Sequence, residues 1–506
     1  MFIFVILTSK YGTLMILGSI ILGIIYWWNE IINFVKIQIT IYKFARSLPG
    51  PRALPLIGNA LSFINTDDTV DILAEWSRKI SKTYRVYFGP VLKIVLTDPR
   101  DIEILFASPN GEEKDSLYDL MRTIVKNSMI NSKGVQYRSH KKLVMPIVNG
   151  KPLSIFVEKG NKFSRKFVEV LNDKVGKEEF DMHHIMAPCV CDLVFETLYG
   201  VPGEAQNGKP NIFVYGVEKL LHILHQRMVT FWLYPNFIFK FSKIGKSWFS
   251  IGRNVSKFLY NMIDEKKREW NDSKKLGIEP NVPVALCDKI IDHIMKTNSW
   301  TDRELHDELT TIFIGSHDTM VGVGSFVFLM LAMYPEIQDK VRQEIESIAG
   351  NEIVTYDMCT DMKYMDMVIR ETMRLFPAGP FLPRKITGDI KLATCTIPKG
   401  CSVIVLAYAV HRDPDYWPEP NKFNPENHTV ENTKARHPSA FLPFSGGIRA
   451  CPGYKYGMAL LKVIITDVVR NYKLSTTTTM ESIKLNAHIS VRSRNGINIS
   501  ITKIKP

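Results

Sequence analysis

The run Phe444-Ser445-Gly446-Gly447-Ile448-Arg449-Ala450-Cys451-Pro452-Gly453 constrains this chain more than any other segment. It sets one cysteine behind a glycine-rich bend, with Arg449 two residues before it and a Pro-Gly step leading into a helical run after it. A sulfur at a helix start meets unpaired backbone N–H groups and the positive end of the helix dipole, both of which favour thiolate over thiol. Such a sulfur is a soft, anionic ligand. The plainer reading is a small buried structural residue, the usual fate of a lone cysteine.

Phe444-x-x-Gly447-x-Arg449-x-Cys451-x-Gly453 matches every fixed position of the haem-binding loop of the cytochrome P-450 superfamily, and by these residues the chain resembles that superfamily. The resemblance implies haem b with the Cys451 thiolate as axial iron ligand, an arrangement whose electron donation favours O–O cleavage. It also implies a mainly α fold with minor β, a single-domain cytochrome P-450 fold behind an N-terminal transmembrane helix.

With 506 residues, the chain has room for one large domain or two to three ordinary ones. Its seven cysteines are scattered and odd in number, which argues against a disulfide framework and for a reducing compartment. Cys189-x-Cys191 is a possible metal pair, but its flanks read as an apolar helix and no second pair follows, so structural cysteines are the better reading. The formal charge of +13 points to an acidic partner or an anionic membrane. Its basic residues are spread along the chain without a nucleic-acid motif, which argues against nucleic acid as a partner.

Residues 13–28 carry no charge, and the apolar character resumes weakly at Ile31, Ile32, Phe34 and Val35. That is near the ~20 residues needed to span a bilayer. Tyr26, Trp27 and Trp28 suit an interfacial belt, and Lys36, Lys43 and Arg46 outnumber Lys10, which puts the domain on the cytosolic face. A cleaved signal peptide competes, although no small-x-small cleavage site follows the run. Leu48-Pro49-Gly50-Pro51-Arg52 and Leu54-Pro55-Leu56-Ile57-Gly58 then read as a stiff, helix-incompatible hinge, like the paired proline clusters of membrane-bound family members. The expected organisation is an anchor over 1–36, a linker and hinge over 37–58, and one domain over 59–506.

Beyond the hinge, residues 85–88 and 91–96 read as strands joined by Gly89-Pro90. A long apolar helix is expected over 301–332, opened by a Thr301-x-x-Glu304 capping box and closed before Pro335; it would be about 50 Å long. Further helices are expected from Pro335 towards Gly350 and over about 361–376. Asn495-Gly496 between two strand-like runs, 488–493 and 497–502, predicts a hairpin.

Inside the long helix lies Gly315-Ser316-His317-Asp318-Thr319, where the Thr319 hydroxyl is able to bond back to the carbonyl of Gly315 and loosen the helix. In the resembled family an acid and a threonine at this point feed protons to the activated oxygen, roles that fall to Asp318 and Thr319. Ser316 and Met320 depart from the family's second glycine and second threonine. Glu371-x-x-Arg374 sets an acid and an arginine on one helix face. A surface ion pair is the default reading, and the resemblance makes the pair a structural element behind the haem loop. The family's third member, an arginine, is replaced by Asn427, so Glu371 is expected to lean more on Arg374.

Haem propionates need cationic or hydrogen-bonding partners when buried. Arg449 is the first candidate. The resemblance adds Arg384, and places the family's Trp-x-x-x-Arg pair at Tyr137 and Lys141, where lysine lacks the bidentate fork. Phe444 and Gly447 complete the expected cofactor-binding set. Residues 436–444 and 232–239 are most similar to the fatty-acid-hydroxylase branch, often called family four, with its many insect members. Several members of that branch carry a haem-esterifying glutamate where Gly315 stands, so a non-covalently held haem is expected.

These readings converge on a membrane-anchored haem-thiolate monooxygenase of the endoplasmic reticulum that oxidises a hydrophobic small molecule with O2: a fatty acid, steroid, terpenoid or foreign compound. Electrons would come from an NADPH-dependent cytochrome reductase, with cytochrome b5 as an additional donor and membrane lipid as a contact, because nothing here resembles a flavin or nicotinamide domain. Arg436, Arg449 and Lys455 suit the docking of an acidic partner. Two alternatives stand beside this: a haem-thiolate isomerase or dehydratase acting on hydroperoxides, and a haem- or lipophile-binding protein without turnover.

Overall fold

The computed structural model describes residues 17–18, 26–209, 211–276, 285–487 and 489–504. Most of the apolar run expected to anchor the chain lies outside the described residues. The helix after it, α1 (Trp28–Ser47), exposes Trp28, Phe34, Val35, Ile39 and Tyr42 and buries only Ala45. It continues without a break through residues 37–47, where the sequence leads one to expect a linker. Nothing in that stretch breaks a helix until Pro49. The proline-rich segment then lies against β1 (Thr83–Phe88): Arg85 N donates to the Pro49 carbonyl at 2.9 Å, and Arg85 Nη1 donates to the Ala45 carbonyl at 3.1 Å.

β1 pairs antiparallel with β2 (Val91–Leu96) across Gly89-Pro90, as the sequence implies. The sheet gains two strands from far along the chain, β3 (Phe381–Lys385) and β4 (Ser402–Leu406), in the order β1-β2-β4-β3. The rest is mostly helical. The expected long helix is α2 (Asp302–Met333), and its capping box forms as read, with the Thr301 side chain and Glu304 satisfying each other's backbone N–H. It is apolar and long enough to cross a bilayer, but most of its apolar window is buried inside the protein, as befits a core helix. Pro335–Ala349 comes next, then α3 (Lys363–Leu375) and, after the cysteine loop, α4 (Tyr454–Asn471).

The main core gathers around α2 and α4, with Pro152–Asn172 and Met182–Val194 packed on them. Close approach is needed there: a Cβ on Gly160 would lie 2.8 Å from Leu460 Cδ2 of α4. Cys189 and Cys191 are both fully buried in this core, and burial pushes both thiols up, which fits structural cysteines rather than a metal pair.

The hairpin predicted at Asn495-Gly496 does not form. Val491–Ser493 pairs with Leu485–Ala487, whereas Asn498–Lys503 pairs with Tyr472–Ser475 and Phe180–Asp181. The turn passes the chain from one sheet to another because Asp181 captures it: Asp181 Oδ1 accepts from Ile497 N at 3.1 Å, and the Ile497 carbonyl accepts from Met182 N at 2.9 Å. Local turn chemistry is legible in sequence; the strand it serves is not.

Candidate active site

The cysteine loop is closed by Cys451 N donating to the Phe444 carbonyl at 2.9 Å, and Ala450 N donates to the Gly447 carbonyl at 3.0 Å. Gly447 has a positive φ of 64°, and a Cβ there would collide with the Phe106 carbonyl, so both conformation and space require glycine. Phe444 packs edge-on against Tyr454, the first residue of α4, with centroids 4.8 Å apart, which ties the loop to the helix it opens. Burial pushes the Cys451 thiol up, against the opposing pull of Gly453 N, Lys114 and Lys141. The helix-start effect expected from sequence is therefore present but outweighed in the protein alone. The side chain is nonetheless the one exposed cysteine among the described residues, surface it keeps although protein surrounds it closely, so it faces a recess.

Cations surround that recess. Arg384 is 1% exposed and Arg449 is 7% exposed. Arg449 donates from Nε to the Glu112 carbonyl (3.1 Å), from Nη1 to the Met129 carbonyl (3.2 Å) and from Nη2 to the Ser132 carbonyl (2.6 Å), and its guanidinium lies 3.6 Å from the centroid of the Tyr137 ring. Arg384 donates to Ser445 Oγ at 3.1 Å. Tyr137 Oη and Lys141 Nζ both donate to the Ile448 carbonyl, at 2.7 and 2.5 Å, so this pair fastens the back of the loop. Lys114, which no motif marks, completes the group: burial, then the neighbouring charges of Arg384 and Arg449, push its ammonium well below the usual lysine range. Burial lowers Arg384 to about 10. Among the described residues, none of these four cations has a carboxylate within ion-pair distance.

Buried like charges without a counter-anion are costly unless an anion joins them. The donor set fits a group with two carboxylates and an iron able to take a sulfur ligand. A separate surface cleft of about 320 Å³ beside Asp71, Arg78, Tyr408 and Arg412 shares no residue with this set and is lined by neither cysteine nor histidine.

Behind the loop, Arg374 grips Glu371 bidentately, Nε to Oε2 and Nη2 to Oε1, both at 2.8 Å, with both side chains fully buried. The expectation that Glu371 leans on Arg374 for want of a second arginine needs correction. Asn427 Nδ2 donates to Oε1 at 3.0 Å, Asn424 N at 2.9 Å, and His428 Nε2 lies 3.0 Å from Oε2. Arg436 supplies the missing cation from outside, stacked on Trp417 at 3.6 Å and donating to the Asn427 carbonyl. Burial pushes the Glu371 carboxyl up, but the hydrogen bonds from Arg374 and His428 outweigh it and hold it at about 2.

Asp318 and Thr319 adjoin in sequence but lie on different faces of α2. Thr319 sits on an open strip with Gly315, where a Cβ would meet nothing within 4 Å, and its hydroxyl donates to the Gly315 carbonyl at 2.6 Å, as expected. Asp318 is buried and ion-paired to Arg492, whose Nη1 also donates to His183. Nothing in the sequence signals that partner, which arrives from the sheet at the end of the chain. Ser316 bonds back to the Ile312 carbonyl at 2.7 Å and Met320 packs in the core, so neither departure crowds the open strip.

The description that fits this architecture is also the one matched by sequence: a family model, "Cytochrome P450" (hereafter cytochrome P-450), covers residues 48–499. The chain belongs to the cytochrome P-450 family. It is similar to cytochrome P-450 4g1 of Drosophila melanogaster, 29% identical over 91% of this chain and 90% of that one. It is also similar to cytochrome P-450 4c3 of the same species, 27% identical over 98% of this chain and 97% of the other, and to mouse cytochrome P-450 4V2, 27% identical over 90% of each. As a cytochrome P-450 the protein is a monooxygenase that binds haem b through an axial cysteine thiolate. Membership brings with it dioxygen, a hydrophobic substrate and a redox-partner reductase.

Proposed function

We propose that this cytochrome P-450 inserts one atom of O2 into a hydrophobic small molecule at the cytosolic face of the endoplasmic reticulum membrane. Its electrons come from an NADPH-dependent reductase, with cytochrome b5 as a second donor, and residues 1–36 anchor it in lipid. The single observation that carries the reading is the group of four cations around Cys451, none of them in ion-pair contact with a carboxylate among the described residues.

In this reading the Cys451 thiolate is the iron ligand, and Arg384 and Arg449, with Lys114 and Lys141, receive the propionates. Bound haem supplies the one-electron and oxygen-activating chemistry. Tyr137 supports Arg449 from below its guanidinium plane and, with Lys141, keeps Ile448 and so the loop in place. Phe444 and Gly447 fix the bend that aims the sulfur. Thr319 holds a hydroxyl proton on the open strip, parked on the Gly315 carbonyl and free to rotate towards oxygen. Asp318 supplies protons from behind, held in place by its ion pair with Arg492. Glu371 and Arg374 are structural. Gly315 has no carboxyl group, so haem is held without an ester.

The test is turnover of the full chain reconstituted with reductase and NADPH in vesicles, offered a lipid-extract pool and read by mass spectrometry for one added oxygen. Products carrying a single atom from labelled O2 support the reading. Product formation from hydroperoxides alone, with none from reductase and NADPH, overturns it. Haem that stays attached through denaturing extraction overturns the non-covalent assignment.

A further inference from the structure

Four charged or titratable side chains lie buried near the amino end of α2 and on the helix after Lys133, away from Cys451: His306, Asp307 and Glu308 of α2, and His140 of Gly134–Asn149. The two acids converge on one irregular segment, residues 126–132. Asp307 Oδ2 accepts from Lys126 N at 2.9 Å and Asn127 N at 3.0 Å. Glu308 Oε2 accepts from Met129 N at 2.9 Å and lies 2.8 Å from His140 Nδ1. Thr311 Oγ1 donates to Ser128 Oγ at 2.6 Å. His140 is itself fixed by stacking on Trp300, with ring centroids 4.0 Å apart.

The other side of the same segment faces Arg449. The Met129 and Ser132 carbonyls accept from its two Nη atoms, so the stretch that Glu308 holds by an N–H orients the guanidinium by its carbonyls. Glu308 is fully buried, and its second oxygen, Oε1, has no hydrogen-bond partner among the described residues. A buried carboxylate half-satisfied in this way is an expensive feature for a segment that could have been packed with apolar side chains. Backbone amides in an irregular stretch have no ladder to fix them, and a carboxylate acceptor fixes one more strongly than a neutral group does.

We infer that Glu308, braced by His140, is a positioning residue for the haem site: it holds Met129 so that Arg449 stays aimed at the haem propionates. The inference rests on the reading that Arg449 receives a propionate. A role of this kind acts through Arg449, whereas a merely structural one adds to it.

The test is the rate of haem transfer from the full-length holoenzyme to an apoglobin acceptor, measured for Glu308→Ala, Glu308→Gln, Arg449→Gln and the double variant Glu308→Ala/Arg449→Gln. Glu308→Ala is expected to speed haem loss about tenfold, and Glu308→Gln, which keeps an acceptor for Met129 N, by less than about twofold. Arg449→Gln is expected to speed it at least as much as Glu308→Ala, with the double variant no faster than Arg449→Gln alone. Multiplicative effects in the double variant overturn the inference, as does haem loss in Glu308→Ala at the unaltered rate while Arg449→Gln is fast. An unaltered rate in Arg449→Gln overturns the underlying reading instead. If Glu308→Ala yields no holoenzyme, Glu308→Asp, one methylene too short to reach Met129 N, takes its place in the same cycle with the same outcomes.

Discussion

Two groups of buried charge flank the cysteine loop, and they are built on opposite plans. Around Glu371 every charge is answered from within: two bonds from Arg374, one each from Asn424 and Asn427, and a contact with His428. Around Cys451 four cations crowd together against carbonyls, hydroxyls, aromatic rings and one another, with no carboxylate in ion-pair contact among the described residues. A balanced cluster is complete as protein, and its job is to hold the fold. An unbalanced one is destabilising until something anionic is added, and this points to a ligand site with greater force than any one residue in it.

The sharpest way to break this contrast is at the sulfur. Cys451→Ala is expected to abolish monooxygenation and the thiolate-type band of the reduced carbon-monoxide spectrum, while far-UV circular dichroism stays that of the folded chain. In the balanced cluster the effect is on folding itself. Glu371→Gln leaves Arg374 buried without its counter-ion and is expected to cost about 3–5 kcal/mol, read as a loss of denaturant midpoint.

The same carboxylate predicts a pH dependence. Its folded-state value of about 2 lies below the ordinary 4.5, so its contribution is fully present above pH 4.5 and is lost as pH falls through about 2. For a shift of that size the contribution is about 3 kcal/mol. Acid denaturation of the wild type should therefore steepen across that window, and Glu371→Gln should flatten it.

Arg384→Met sharpens the comparison by its sign. Removing one of several uncompensated cations is expected to raise the melting temperature of the haem-free protein, by about 1 kcal/mol in stability, and to weaken haem retention. If it lowers the melting temperature and leaves haem retention unaltered, the four cations are not a ligand site but a conventional part of the core. Asn427→Ala should have the smallest effect, about 1 kcal/mol or less, because Glu371 keeps Arg374, Asn424 N and His428. A loss of several kcal/mol would mean that the amide bears the load of the arginine it replaces.

Much of this is legible along the chain because it is local. The cysteine loop, its glycines and the helix after it come from turn and helix-start chemistry within ten residues. The long helix announces itself by its capping box and apolar length, and the Thr319 back-bond by spacing alone. Long-range partners are not legible. Lys114 lies in an irregular stretch with no motif, and Glu308 looks like any acid near a helix start. His428 stands one residue past the expected position; a search of neighbouring positions for any donor would find it. The Asn495-Gly496 pair does mark a turn but not a hairpin, since Asp181, from more than three hundred residues away, decides which strands the next segment joins.

Sequence by itself, through short-range motifs and the family they resemble, determined the outline of the chemistry: a cysteine loop for haem, an acid-threonine pair within the long helix and a Glu-x-x-Arg pair behind the loop. Only the tertiary structure decided how the charges balance. Coulomb energy and desolvation depend on distance and burial in space, not on order in the chain. So it took the fold to bring Arg436 and His428 to Glu371, to bind Asp318 to Arg492, and to leave Lys114, Lys141, Arg384 and Arg449 around Cys451 with no described acid paired to them.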